Sequence, residues 1–271
     1  MKIKLIIISA NEHRHKYFRR KISSFKNFDI KLCLAEKNKT RHYFKIYQSK
    51  NYTKIEKKHF KDRELSEKKY FNNFLKKTPE VKKLKLIERG EFNYNQKLIN
   101  KIIKIKPDLI ISYGCSLIKK PLLTKYKNKF LNVHLGLSPY YKGSGTNFWP
   151  FVNNELQFVG VSFLKLDKGI DTGAIIHQMR PNFKTTDTVH NVGNTLIIEM
   201  TKKLEKIIIN FKNLKSTKQK KYKRERVFLK KQFNENAVKK LHFNLKNKAI
   251  KKYLSKKKMI DKKFPIIEQK I

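Results

Sequence analysis

The chain opens on a continuous apolar run, Ile3 to Ile8, closed by polar Ser9. A run of strand length between polar residues predicts a buried parallel strand. From Glu12 to Ser24, Tyr17, Phe18 and Ile22 can share one helical face, and Ile30 to Ala35 reads as a second strand. Strand, helix and strand in this order begin a βαβ unit. Leu98, Ile99, Ile102, Ile103 and Ile105 repeat at helical spacing until Pro107 stops the helix, and Asp108 to Ser112 is the next buried strand. Phe130 to Leu135 follows as a strand, and Asn147 to Val152 as a short helix. Phe158 to Leu166 and Ala174 to Gln178 form a strand pair across the loop DKGIDTG. Thr186 and Asp187 offer an N-cap to a helix with Val189, Val192, Leu196, Ile197, Met200 and Leu204 on one face. Residues 37 to 85 show no clean period and read as short helices. After Leu214 the chain is lysine-rich, with a strand-like patch at Val227 to Leu229 and two short helical patterns ending near Leu254. The pattern predicts an α/β fold, a Rossmann-like and mostly parallel sheet with a short, mainly helical C-terminal extension. The expected division is 1–214, with a charged insertion at about 37–87, and a basic extension over 215–271.

Charge sharpens that division. The formal net charge is +45, yet the stretch 131–200 holds five basic and five acidic residues and is neutral. Lysine supplies 57 of the 66 basic residues and arginine 9. Proteins that read phosphates or bases lean on arginine, whose fork suits bidentate contacts. Lysine spread along a chain rich in Ile and Asn therefore disfavours a dedicated nucleic-acid surface, although it predicts salt-sensitive adhesion to polyanions. The two cysteines, Cys33 and Cys115, form neither a disulfide framework nor a metal pattern. No metal site is expected. The first apolar run is too short, and wrongly flanked, for a signal peptide. No run approaches the roughly 18 apolar residues of a membrane span. The expected setting is cytoplasmic and away from membranes.

The neutral stretch carries the candidate chemistry. Asn132 and His134 stand two apart, so a strand turns both to one side. A neutral imidazole can accept or deliver a proton near neutral pH. An amide can donate to a developing oxyanion without competing as a base. A carboxylate such as Asp171 can orient the imidazole or stabilise its cation. Taken singly, His134 reads as a hydrogen-bonded core residue and Asp171 as a turn residue before Gly173; as a set they point to catalysis. No Ser, Cys or Lys nucleophile stands in a motif beside them, which favours direct transfer to an incoming nucleophile. The turn after the first strand, SANEHRHKYFRR, lacks glycine and is no phosphate-binding loop. Its His13, Arg14 and His15 read either as a solvated basic turn or as an anion contact at a helix start. The loop Gly143 to Asn147 reads either as a backbone nest for an anion or as a tight connection.

NVHLGLSPYYKG followed by LDKGIDTGAII resembles the folate-dependent formyltransferases, which include the glycinamide ribonucleotide, methionyl-tRNA and sugar N-formyltransferases. That family shares Asn-x-His on a strand, a Leu/Ser-Pro-x-Tyr-x-Gly loop, and a later Asp-x-Gly; here His134 and Asp171 are 37 residues apart. The resemblance is specific over 107–200, looser over 1–36 and 88–106, and negligible over 37–87. It implies 10-formyltetrahydrofolate as formyl donor and a small-molecule amine as acceptor. It implies that Asn132 holds the tetrahedral oxyanion, that His134 manages protons, and that Asp171 positions His134. The loop Cys115, Ser116, Leu117 and Ile118 would hold the pterin, with Asp167 and Gly169 in its other wall. Ser138, Tyr141 and Gly143 would face the substrate.

The departures narrow the acceptor. ANEHRHKY stands where the glycinamide ribonucleotide enzymes carry a Gly/Asn/Ser phosphate loop. A mainly helical tail stands where methionyl-tRNA enzymes carry a β-barrel. An amino sugar or nucleotide-sugar is therefore the preferred acceptor. The alternatives are the other two acceptors, hydrolysis of formyl-folate, and a basic RNA-binding protein on a degenerate scaffold.

Overall fold

A computed structural model of the chain describes residues 2–37, 42–222 and 225–271. Residues 38–41, at the start of the expected charged insertion, lie outside the described residues. The elements run β1 (Ile3–Ser9), α1 (His13–Ser23), β2 (Phe28–Glu36), α2 (His42–Gln48), α3 (Lys54–Lys77), β3 (Leu84–Ile87), α4 (Gln96–Ile105), β4 (Leu109–Tyr113), α5 (Leu122–Lys125) and β5 (Phe130–His134). They continue as β6 (Tyr141–Gly143), α6 (Trp149–Val152), β7 (Val161–Lys165), β8 (Ile175–Met179), α7 (Val189–Ile209), β9 (Arg226–Phe228), α8 (Glu235–Lys246), α9 (Ala249–Ser255) and α10 (Lys257–Lys263).

Seven strands form the main sheet in the order β3-β2-β1-β4-β5-β7-β8. The first five are parallel, and β7 and β8 join antiparallel. The α/β, mostly parallel architecture expected from the pattern is the observed one. Strand β1 shows why. Leu5 and Ile7 pack into one apolar core while Ile6 and Ile8 pack into another, so the strand is buried on both faces. The chain leaves β1 toward β3 and then crosses back to β4. That reversal creates the crevice at the strands' C-terminal ends where open α/β sheets place ligands.

Three local readings need correction. Residues 54–77 form one helix of 24 residues, started by a Thr53–Glu56 capping box, rather than several short ones. The N-cap of α7 is Thr188, whose hydroxyl accepts the Asn191 N–H at 3.1 Å; Asp187 instead accepts the Lys184 N–H. The tail holds three helices and reaches Lys263. It also adds a strand to the body of the protein, since β9 pairs in parallel with β6, placing Arg226 opposite Tyr141 and Phe228 opposite Gly143. Among the described residues no helix is long and apolar enough to cross a membrane.

Packing of α3 against α7 and the tail buries His59. Its ring lies 4.6 Å from that of His190, 5.2 Å from Phe148 and 5.6 Å from Phe233. Burial pushes His59 down from 6.5 to about 4, with the charge of His242 adding to the effect. Burial likewise pushes His190 down from 6.5 to about 3, with His59 and His242 adding to it. The folded state therefore holds both rings neutral, and protonation favours the unfolded chain. Their stabilisation is present above pH 6.5 and is lost as the pH falls toward about 4 and then about 3. Each ring withdraws on the order of 3–5 kcal/mol across its window. The melting temperature should begin to fall below pH 6.5, before the carboxylates titrate, and His59→Gln should flatten that part of the profile; an unchanged slope would contradict the assignment.

Candidate active site

Asn132 and His134 lie on β5, which pairs with β4 so that Ser112 stands opposite Asn132. The Ser112 hydroxyl donates to Asn132 Oδ1 at 2.9 Å. That bond fixes which end of the amide is which, and turns Nδ2 toward Asp171, where it donates to Oδ1 at 3.2 Å. His134 Nδ1 lies 3.2 Å from the other carboxylate oxygen, Oδ2. His134 Nε2 lies 2.9 Å from the Tyr141 carbonyl, which can only accept, so this nitrogen carries a hydrogen. The Gly143 N–H donates to Asp171 Oδ2 at 2.9 Å. The structure thus gathers Asn132, His134 and Asp171 around one carboxylate. Ser112 is part of the same arrangement, and only the cross-strand register reveals it.

The loops that bring these groups together are shaped by their own residues. Asp167 Oδ1 accepts from the Gly169 N–H at 3.0 Å and from the Thr172 hydroxyl at 2.6 Å, closing a turn in place. Asp171 then takes a left-handed backbone, φ 53°, a conformation that Asp tolerates better than most residues. Its carbonyl accepts from the Ser138 hydroxyl at 3.3 Å and from Gln219 Nε2 at 2.8 Å. Gly143 has φ +88°, and a Cβ there would lie 2.3 Å from the Phe228 carbonyl. Only glycine lets β9 come this close to the residue that touches Asp171. Phe228 stacks on Tyr141 on one side and Trp149 on the other, at 5.6 and 4.4 Å. The lysine-rich tail is therefore built into the walls of the site, which nothing local in its sequence announced.

The remaining expected site residues fall into two groups. Ser116 and Leu117 lie in the loop after β4, Leu117 with its side chain exposed and Cys115 half-buried. Ile118, however, points into the core beside Leu122 and Phe130, so only its backbone faces outward. Tyr141 likewise does not offer its side chain to a ligand. It is 1% exposed, its hydroxyl donates to Glu155, and Asn153 and Arg226 donate to that hydroxyl. Ser138 is buried, its N–H donating to Ser162 Oγ at 3.0 Å. Burial pushes the Cys115 thiol far up, with Glu36 adding to the effect, so no thiolate nucleophile stands here.

Pairing shapes both flanking loops. Arg14 is bound to Glu12 and to Glu67, at 2.5 Å from the latter, and His15 is buried against Tyr113. The turn after β1 is neither solvated nor a free cationic contact. In the loop Gly143 to Asn147, the Gly143 N–H is taken by Asp171 and the Ser144 N–H by the Phe228 carbonyl. Asn147 is bound to both backbone groups of Gly160. The Gly143 and Ser144 pairs close the first half of the loop onto Asp171 and β9. Among the described residues no group of three or more His, Cys, Asp or Glu is placed to hold a metal ion.

Comparison with known proteins gives this geometry a context. The family model described as formyl transferase matches residues 51–208, more than half of the chain. The match begins at residue 51, inside the charged stretch where the sequence alone showed negligible resemblance. A methionyl-tRNA formyltransferase of Thermodesulfovibrio yellowstonii is 30% identical over 145 residues, 48% of this chain and 46% of that protein. A GDP-perosamine N-formyltransferase of Brucella melitensis is 35% identical over 104 residues, 38% of this chain and 40% of that protein. The chain thus matches less than half the length of these curated relatives. An N-formyltransferase from Helicobacter canadensis, solved with folinic acid and dTDP-3-aminofucose, superposes with a TM-score of 0.50. It is 22% identical, covering 88% of this chain and 79% of the other, and the likeness is one of fold.

Proposed function

The chain belongs to the formyl transferase family, and from that premise we propose that it moves a formyl group from 10-formyltetrahydrofolate to the amine of a small metabolite, an amino sugar or nucleotide-sugar. One observation carries the reading: Asn132, His134 and Asp171 share one carboxylate-centred cluster at the C-terminal edge of β5. The loop after β4 suits a flat, polar-edged ligand. The Leu117 and Ile118 N–H groups and the Ser116 carbonyl have no partner among the described residues, and the Leu117 side chain is exposed beside them. Cys115, Ser116, Leu117 and Ile118 would hold the donor from this side, with the turn of Asp167 and Gly169 opposite. The donor supplies an activated formyl carbon.

The chain's own groups then do the following. Asn132 Nδ2 spends one hydrogen on Asp171 and keeps a second, which serves the oxyanion formed when the amine adds to the formyl carbon. Asp171 holds the His134 ring through Nδ1, and we assign this ring the handling of the transferred proton. The new C–N bond would form on addition, the bond to the folate nitrogen would break as the adduct collapses, and the proton lost by the amine would pass to that nitrogen. Two contacts tie the tail to this cluster: Gln219 grips the Asp171 and Gly173 carbonyls at 2.8 Å each, and Lys142 pairs with Glu225 at 3.0 Å.

A tRNA acceptor is the second reading, favoured by the lysine-rich tail together with the methionyl-tRNA relative. Labelled 10-formyltetrahydrofolate offered with a panel of nucleotide-linked amino sugars, and separately with methionyl-tRNA, separates the two. The proposal expects label on an amino sugar. Label on methionyl-tRNA alone would replace the acceptor, and label on neither, with formate released, would point to hydrolysis.

A further inference from the structure

Glu36 ends β2 as a buried residue, 4% exposed. A buried carboxylate is costly unless both oxygens are hydrogen-bonded. Here Oε1 accepts the Gly90 N–H at 2.8 Å and Oε2 accepts the Ser116 N–H at 3.1 Å. One side chain therefore ties the segment after β3 to the loop after β4, across the ends of β2, β1 and β4. Asn93 holds the same loop from another side. Its Nδ2 donates to the Leu117 carbonyl at 2.9 Å, and its Oδ1 accepts the Lys119 N–H at 2.9 Å. Three loop positions, Ser116, Leu117 and Lys119, are thus set by two side chains from outside the loop. The backbone groups left over, at Ser116, Leu117 and Ile118, are those available to a ligand.

Packing alone does not ask for a carboxylate at this position. The residues around the end of β2 include Leu34, Ile87, Phe92 and Ile118, all buried and apolar. An apolar side chain would satisfy them and would leave the two N–H groups unpaired. We infer that Glu36 is a positioning residue for the formyl donor: it fixes the loop Cys115 to Ile118 in the shape that receives the folate, with Asn93 as its second support. The inference rests on the folate reading above and adds the residue that presets the donor side of the site.

Glu36→Gln keeps the size of the side chain but replaces one acceptor oxygen by a donor amide, so one of the two N–H groups loses its partner. Asn93→Ala removes the other support and guards against a Glu36 variant that fails to fold. Two readouts are needed on each folded variant: titration with folinic acid, and hydrogen exchange over the Gly114–Lys119 segment. Both variants should exchange faster there and bind folinic acid roughly ten-fold more weakly, the scale of losing a hydrogen bond to a charged or amide group. The KM for the acceptor should stay unchanged while that for the donor rises. Faster exchange with undiminished folinic acid binding would overturn the inference and leave the folate reading standing. Unchanged exchange in both variants would also overturn it. Failure of the wild-type protein to bind folinic acid would remove the folate reading and this inference with it.

Discussion

Asp171→Asn should lower the rate of formyl transfer by roughly 10²–10⁴-fold while leaving the fold intact. The carboxylate accepts from three directions: Asn132 Nδ2 on Oδ1, and the Gly143 N–H on Oδ2, where His134 Nδ1 also points. An amide of the same size has one acceptor oxygen. If that oxygen faces Gly143 and His134, its NH2 meets the Asn132 NH2, donor against donor. Turned the other way, it meets the Gly143 N–H. Either rotamer breaks the cluster without opening a cavity, so donor binding and melting temperature should change little while kcat collapses. The readout is kcat under saturating donor, paired with folinic acid affinity. A variant with near wild-type kcat would show that Asp171 is a turn residue and no more.

Asn132→Ala is the second large effect, expected at about 10²–10³-fold in kcat, the usual cost of one oxyanion donor. The amide is oriented before any ligand arrives, because the Ser112 hydroxyl occupies its oxygen at 2.9 Å. Ser112→Ala should therefore lower kcat in the same sense but by less, roughly the five- to ten-fold effect of one neutral hydrogen bond. Both losses should appear in kcat with donor affinity nearly unchanged, since a donor that serves the transition state contributes little to ground-state binding. A rise in the donor KM at constant kcat would place Asn132 in binding instead.

The parts of this protein that could be read from the sequence are those whose signal is local. Strand β1 announced itself because both of its faces are buried and every residue from Leu5 to Ile8 is apolar. Helix α4 did so because Leu98, Ile99 and Ile102 line one buried side. Asn132 and His134 were legible because two residues on a strand share a face, and Asp171 because the motif around it resembled a known one.

Helix α3 was not legible as one helix. Its buried positions are Glu56, His59, Glu67 and Phe71, so polar residues occupy the inward side and no apolar stripe marks it. Those polar groups are paired from elsewhere, as Glu67 is by Arg14 from α1. Strands β6 and β9 span three residues each and pair across more than 80 residues of chain, a contact with no local trace. The same distance hid the part that Gln219 and Phe228 play around Asp171. Tyr141 carried the motif but spends its side chain on Glu155, Phe228 and Arg226, because a buried ring stacked on a neighbour, with its hydroxyl bonded, serves packing. Nothing local in the sequence marks Glu36; only its two N–H partners distinguish it.

The central claim is that the cluster around Asp171 transfers a formyl group, and a single-turnover experiment tests it most directly. Wild-type protein and His134→Ala are each loaded with labelled 10-formyltetrahydrofolate and mixed with the panel of amino-sugar nucleotides. The account predicts label leaving the folate for an amine with the wild-type protein. It predicts transfer slowed by about 10²–10⁴-fold in the variant, although the donor still binds. Equal transfer by the two proteins, or donor bound by the wild type with no transfer and no formate released, would contradict it.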